Sequence, residues 1–112
     1  MEYKIVSLYD KAVGAYLRPF PALSVGEAMR AFEDDVANAE SPVARHPEDY
    51  ALFLVGKFND QTGVLEKEDS PVCLINAHEV VSKLRNVNRE QLALFDGALD
   101  KANSDGDNIN AA

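Results

Sequence analysis

The chain has 112 residues, of which 46% are hydrophobic, and a formal net charge of −8. This length and apolar content suffice for one packed domain without a disulfide or metal, and the single cysteine, Cys73, excludes an internal disulfide. The negative charge weighs against strong general affinity for nucleic acid, because such affinity depends on neutralising phosphates.

The N-terminal segment predicts two strands. Residues 2–10, "EYKIVSLYD", alternate between the two sides of an extended chain, as in a strand with one well-buried face. Apolar residues at every second position of 13–17 predict a second strand. Pro19 and Pro21 should end this strand and keep the chain extended.

An amphipathic helix should follow. Ser24 and Glu27 form a capping box, in which the serine caps the first turn and the glutamate reaches back. Apolar residues then recur at helical spacing for about 15 residues, and the helix should end near 40–42. The stripe consists of Val25, Met29, Phe32 and Val36, widened by Ala28 and Ala39.

The segment "HPEDY" at 46–50 has two interpretations. His46, Glu48 and Asp49 are of the types that bind metals or transfer protons. A stable zinc site usually has four converging ligands, and the other histidine, His78, is 32 residues away in sequence. A proline followed by acids is also typical of a first helical turn, so we predict a turn at 47–50 and no metal site.

The middle of the chain predicts a hairpin. Residues 50–58 are apolar on both faces, which is typical of a strand in the centre of a sheet or in an interface. Residues 59–63 should form a turn, and 64–68 should return as a short strand. Residues 69–71, "DSP", should break the chain before 72–81, which predict a strand or a passage from strand to helix.

A second helix is predicted over 88–102, with Asn88 as its cap and Gln91 completing a capping box. Residues 103–112 are polar and should form a flexible tail, which leaves 1–102 as a single domain. The order of elements predicts an α+β fold, with two helices on a small, mainly antiparallel sheet.

The sequence contains no positive sign of an enzyme. It has no cysteine–histidine pair at motif spacing and no glycine-rich phosphate loop, and "DGD" in the tail does not fit a calcium-binding loop. We therefore expect no catalytic residues and no cofactor. The chain also lacks the apolar stretch of a signal peptide or a membrane span, so we expect a cytoplasmic protein that does not enter membranes.

Cations and aromatic residues alternate near the N-terminus, where residues 1–23 carry a charge of +1. On a β-hairpin these side chains could contact phosphates and stack on unpaired bases; alternatively, the aromatic residues are core and the cations a solvated rim. The candidate DNA contacts are Lys4, Lys11, Tyr16, Arg18 and Phe20, with Arg30 and Arg45 as outer phosphate partners.

Three segments, "SLYDKAVGAYLRPF", "EAMRAFEDDV" and "HPEDYALFLVGKFNDQTGVL", resemble the small non-structural protein of gokushovirus-type phages of the Microviridae. The resemblance covers roughly residues 3–75. Two departures are small: Asp10 and Lys11 are adjacent, and Asn59 replaces the usual aspartate. The matching residues are Asp10-Lys11, Pro19-Phe20, Ala28-Arg30-Phe32, His46-Pro47-Glu48-Asp49 and Gly56-Phe58-Asn59-Thr62-Gly63.

This resemblance implies a non-enzymatic, DNA-binding phage protein of the host cytoplasm, with a role in genome replication or packaging and no agreed catalytic residues. It favours the turn interpretation of His46–Asp49. The first hypothesis is thus a homo-oligomer, most simply a dimer, that binds single-stranded DNA. The alternative is an acidic, oligomeric adaptor that docks a phage or host replication or capsid protein without touching DNA.

We expect the tail to contribute little to stability. Ile109 is its only apolar residue of any size, so deleting residues 103–112 should change the free energy of unfolding by less than about 0.5 kcal/mol. Thermal unfolding of the full and shortened chains would measure this difference. A larger loss would mean that the tail docks on the domain.

Overall fold

The computed structural model describes the backbone of residues 1–104 and the side chains of residues 1–89 and 91. The chain divides into two compact units, Met1–Val81 and Ser82–Ala112, and the first contains every strand that the structure describes. The predicted single domain over 1–102 stays a prediction. Most of the predicted tail, from residue 105 onward, lies outside the described residues.

The fold is α+β, as predicted, with an antiparallel sheet. The elements are β1 Glu2–Asp10, β2 Ala15–Tyr16, β3 Phe20–Ala22, α1 Val25–Ala37, α2 Pro42–Arg45, β4 Tyr50–Asn59, β5 Leu65–Asn76 and α3 Ala77–Ser104. The strand order is β2-β1-β4-β5, and β3 pairs with β1 beside β2. The one-turn helix α2 lies between α1 and β4 in the chain.

The predicted second strand is present as two short pieces, β2 and β3, that pair in succession with β1. Between β2 and β3 the backbone stays hydrogen-bonded to β1, because the Leu17 N–H donates to the Leu8 carbonyl at 2.7 Å and the Ser7 hydroxyl donates to the Leu17 carbonyl. The prediction that Pro21 ends the strand is wrong, since it lies inside β3 opposite Ile5. A proline is tolerated on such an edge strand because its missing N–H can face away from the partner.

The first predicted helix is confirmed, and it ends at Ala37, earlier than expected. Ser24 caps it by accepting a hydrogen bond from the Glu27 N–H at 3.1 Å, and the Glu27 carboxylate accepts from the Leu23 N–H at 3.1 Å. The glutamate of this capping box therefore binds the N–H of the residue before the cap, Leu23. The turn predicted at 47–50 is present at 47–49. A separate one-turn helix, α2, precedes it, with Ser41 as the cap and a proline at the first position.

The break predicted at 69–71 is wrong, because β5 continues through it as one strand of 12 residues. The register changes there: Leu54 is opposite Val72, whereas Gly56 is opposite Lys67. Four residues of β5, 68–71, therefore face the single residue Val55. The aspartate, serine and proline produce a wide bulge in an edge strand, where breaks in hydrogen bonding are tolerated.

One face of the sheet, called the helix face, carries the core. Val6 of β1 and Leu52 of β4 lie on this face with Phe20 of β3, and both have a relative exposure of 0%. Helix α1 begins three residues after β3 and contacts β3 and β4. Its buried stripe consists of Ala28, Phe32 and Val36. The apolar stripe of α1 thus covers the apolar side of the sheet, as its helical spacing predicts.

The opposite side, called the open face, follows from the same pairings, because residues directly opposite on neighbouring strands point to the same side. Most of its large side chains are half-buried or exposed. The open face carries Tyr3, Ile5 and Tyr9 from β1, Tyr16 from β2, Phe53, Gly56 and Phe58 from β4, and Leu65, Lys67 and Cys73 from β5.

Helix α3 starts at Ala77, eleven residues before the predicted start at Asn88, which lies inside the helix. The predicted passage from strand to helix after residue 72 is correct. In its first turn Ala77 and Val80 are fully buried, and the Asn76 side-chain amide donates to the Glu79 carboxylate at 3.0 Å. None of the helices that the structure describes is long and apolar enough to span a membrane.

Two glycines should respond in opposite ways to replacement by alanine. A Cβ on Gly56 would lie 2.5 Å from the Glu66 carbonyl oxygen, so Gly56→Ala should lower the free energy of unfolding by about 1–3 kcal/mol. A Cβ on Gly26, which lies in α1, would come no closer than 3.8 Å to its nearest neighbour. Gly26→Ala should therefore raise the free energy of unfolding by up to about 1 kcal/mol. Urea unfolding of both variants would test the pair, and a stable Gly56→Ala protein would contradict the close approach of β4 and β5.

Candidate functional site

Three aromatic rings form a cluster on the open face. The ring centroids of Tyr9 and Tyr16 are 4.7 Å apart, and Phe53 lies 6.0 Å from Tyr9 and 5.5 Å from Tyr16. Both contacts to Phe53 are edge-to-face, an arrangement that aromatic pairs favour. Tyr16 keeps 44% of its surface exposed, so the cluster holds one ring rigidly at the solvent boundary.

A shallow apolar groove of about 190 Å³ lies farther along the same face. It exists because Gly56 contributes no side chain at the point where β4 and β5 approach most closely. Gly56 follows Phe53 by three residues, which is about 10 Å along a strand. The groove and the cluster therefore make one apolar surface. The groove is lined by Ile5, Pro19, Val55, Gly56, Leu65, Glu66 and Lys67.

Some of the predicted site residues border this surface. Tyr16 belongs to the cluster itself. Lys11, in the turn between β1 and β2, and Arg18, in the link between β2 and β3, are both exposed. Lys67, which the sequence analysis did not select, is an exposed cation on the open face. Of these three cations, Lys67 lines the groove, where Glu66 also lies.

The other predicted site residues lie elsewhere. Lys4 is opposite Lys57, and Phe20 is opposite Val6, so both point to the helix face. Arg30 is exposed on α1, and the Arg45 guanidinium donates to the Glu40 carbonyl at 2.8 Å at the end of α2. The seven predicted residues therefore do not share one surface.

Lys4 also belongs to a compensated set of charges. Its ammonium lies 3.4 Å from the Glu2 carboxylate, which is itself 4.0 Å from the Lys57 ammonium. Lys57 pairs across β4 and β5 with Glu66 at 3.3 Å, and hydrogen bonding to Glu66, with the nearby charges of Glu66 and Glu2, raises the Lys57 pKa. Cations already paired with carboxylates are poorer partners for phosphate than unpaired ones.

The His46–Asp49 segment forms a turn that leads into β4. The Asp49 N–H donates to the His46 carbonyl at 3.0 Å, and the Asp49 carbonyl accepts from the Lys11 N–H at 2.8 Å. In the turn between β1 and β2, which contains Lys11, the Asp10 carboxylate accepts from the Ala12 N–H at 3.0 Å. The two motifs around Asp10-Lys11 and His46–Asp49 are thus joined by main-chain bonding, as a turn interpretation implies.

The same segment also brings three ligand types together. One ligand atom each from His46, Glu48 and Asp49 lies within 4.8 Å of the others. The histidine Nδ1 is 3.9 Å from the Glu48 carboxylate, and both side chains are largely exposed. These three groups, of which His46 and Glu48 are exposed and Asp49 is half-buried, fall short of the four-ligand shell of a structural zinc site. Their geometry is that of a charged turn.

Tyr50, which follows this turn, has a raised pKa because burial disfavours its phenolate and the neighbouring Asp10 and Asp49 carboxylates repel it. Tyr50 is opposite Asp10 on the helix face. Its hydroxyl therefore stays protonated at neutral pH and supplies no titrating group to the open face.

The turn between β4 and β5 explains a departure from the family pattern. The Asn59 side-chain oxygen accepts from the Gln61 N–H at 2.9 Å and from the Thr62 N–H at 3.2 Å. An aspartate has the same acceptor oxygen, so either residue can hold the turn. Gly63 has a φ of +73°, a conformation that favours glycine, and closes the turn onto Asn59.

Sequence reasoning missed Tyr9, Phe53 and Lys67. Alternation along β1 and β4 places Tyr9 and Phe53 each on one side of its own strand. Only the register, with Ser7 opposite Phe53 and Tyr9 opposite Tyr16, brings them together. Lys67 reaches this face through the bulge at 68–71, which no sequence pattern predicts.

Comparison with known proteins agrees with the phage resemblance. No curated protein and no solved structure is similar enough to the chain to count as a match. The model of one protein family, described as Phage ORF5 protein, matches residues 3–80, which are 78 of the 112 residues. Apart from Glu2, this range holds the five strands that the structure describes, α1, α2 and the first turn of α3, together with the aromatic cluster and the groove. The chain therefore belongs to the Phage ORF5 protein family.

Proposed function

We propose that this phage protein binds single-stranded DNA on the open face, by stacking unpaired bases on the Tyr9–Tyr16–Phe53 cluster. One observation carries the proposal. Tyr16 packs against two neighbouring rings yet remains 44% exposed, so contacts restrain the ring while part of its surface stays available to a ligand. A preorganised ring loses little conformational freedom when a base stacks on it, and stacking tolerates any base because every base has a flat π face.

The cations at the margin suit a single strand better than a duplex. Lys11, Arg18 and Lys67 are three exposed positive groups around an apolar centre. Three phosphate contacts on a chain of net charge −8 supply only modest electrostatic attraction. Stacking must then provide much of the affinity, and a duplex offers no free base faces for it.

The biological setting is part of the proposal. The segments quoted from the sequence resemble proteins of gokushovirus-type Microviridae, and we propose that this chain acts in the host cytoplasm during genome replication or packaging. A protein that covers unpaired bases would protect a single-stranded genome from reannealing before packaging. The proposed action is binding without catalysis and needs no cofactor or metal.

A second candidate function is that of an acidic adaptor that docks a replication or capsid protein of the phage or the host. The groove at Gly56 favours it, because this concave surface is lined mainly by apolar side chains, as at many protein interfaces. The net charge of −8 also favours a protein partner over DNA. The adaptor would use the same open face, so DNA binding by the isolated protein distinguishes the two.

Stacking can be tested at two neighbouring residues with the same exposure. Tyr16 and Leu17 are both 44% exposed, but only Tyr16 belongs to the ring cluster. Tyr16→Ala should weaken binding of a single-stranded oligonucleotide by about 1–3 kcal/mol, whereas Leu17→Ala should leave it nearly unchanged. Fluorescence anisotropy measures both affinities. Equal losses in the two variants would remove the stacking hypothesis.

The phosphate contacts can be tested by salt dependence. Lys11→Ala and Arg18→Ala should each flatten the log–log dependence of affinity on salt by about 0.7, because each removes one phosphate contact to a single strand. Lys4→Ala and Arg30→Ala remove the same charge away from the open face and should leave the slope unchanged. For the unmodified protein, no anisotropy change at about 20 mM salt and about 50 μM protein would end the DNA proposal and favour the adaptor.

A further inference from the structure

Strand β5 is an edge of the sheet. It is outermost in the order β2-β1-β4-β5, and among the described residues its backbone pairs with β4 alone. Twelve residues of extended chain therefore present one row of N–H and C=O groups away from the sheet. Such an edge can pair with another strand unless the sequence blocks it with charges, prolines or bulges.

The first half of this edge is blocked. Residues 65–71 carry three acids and one lysine, Glu66, Glu68, Asp69 and Lys67, which sum to −2. They also contain Pro71 and the wide bulge opposite Val55. Charge, proline and bulge are the three devices that keep edge strands from pairing.

The second half of the edge lacks two of these devices. Residues 72–76, "VCLIN", contain no charge and no proline. Val72 is 46% exposed, and Cys73 is exposed as well. The register changes here too, because Leu74 is an extra residue between the pairs of Cys73 with Phe53 and of Ile75 with Leu52. The same strand thus changes, at the wide bulge of 68–71, from a charged edge to an uncharged one.

We propose that residues 72–76 pair antiparallel with the same residues of a second copy of this chain, so that two sheets continue into one. A second copy fits because antiparallel self-pairing is two-fold symmetric and sets an uncharged segment against itself. Two chains of net charge −8 repel each other least where neither carries charge. The acids of 65–69 disfavour registers shifted toward the first half.

The two-fold axis of such a pair is perpendicular to the sheet, because paired residues on antiparallel strands point to the same side. The open faces of both copies therefore lie on the same side of the joined sheet. This pairing goes beyond the proposed function and stands without it. If both hold, the dimer presents two aromatic clusters to one nucleic-acid strand.

The interface formed by five residues of each strand is small, so the dimer should be weak, with dissociation in the micromolar range or above. Cys73 lies within the segment that pairs, so each copy contributes one thiol to the interface. Cys73 is the only cysteine, so a short thiol-specific cross-linker can report this contact without ambiguity.

The test compares two lysine substitutions at exposed apolar positions of the same strand. Val72→Lys places a charge on the unprotected half, and Leu65→Lys places it at a residue that is 68% exposed on the protected half. Sedimentation equilibrium up to about 100 μM should show dimers of the unmodified protein, at least about tenfold weaker dimers for Val72→Lys, and less than about a twofold change for Leu65→Lys. Circular dichroism establishes that both variants are folded.

Cross-linking with a short bismaleimide provides the second measurement. It should yield a covalent dimer of the unmodified chain and of Leu65→Lys, a strongly reduced yield for Val72→Lys, and none for Cys73→Ser. A monomer at every concentration would overturn the proposal, as would equal weakening by Val72→Lys and Leu65→Lys. DNA affinity is measured separately, so a failure of the dimer proposal does not decide the DNA-binding proposal, and the reverse also holds.

Discussion

The close approach of β4 and β5 at Gly56 is the constraint on which the rest of the sheet depends. A Cβ at this position would lie 2.5 Å from the Glu66 carbonyl oxygen, so the two strands can meet there only at a glycine. The registers change on both sides of this point, between Ile5 and Val6 on β1 and between Leu54 and Gly56 on β4. Bulges increase local twist and bend strands. The apolar groove lies at the same position, because Gly56 has no side chain to fill it.

The two faces that result have different chemistry. On the helix face, the fully buried Val6 and Leu52 are followed toward one end of the strands by the paired charges of Lys4, Glu2 and Lys57. On the open face, an aromatic cluster and a groove take the place of these charges, and the groove is lined by apolar side chains together with Glu66 and Lys67.

Elements governed by local chemistry could be predicted from the sequence. The Ser24 cap, the apolar stripe of α1, the central position of β4 and the turn at His46–Asp49 each follow from neighbouring residues. Features that depend on pairing could not: Pro21 inside β3 and the unbroken β5 depend on which edge of each strand faces a partner. For the candidate site, sequence reasoning found Tyr16, Lys11 and Arg18. It missed Phe53 and Lys67, because only register brings residues so distant in sequence onto one face.

The main-chain bond from the Lys11 N–H to the Asp49 carbonyl has a consequence for the order of folding. It joins residues 38 positions apart in the chain, and the paired residues of β1 and β4 are 40 to 57 positions apart. Contacts this distant form slowly, because the intervening loop must close first. The turn that holds Lys11 therefore gains its anchor only after Asp49 has been synthesised, and the ring cluster requires Phe53, four residues later. The open face can thus be completed only when the chain extends beyond α1 into β4.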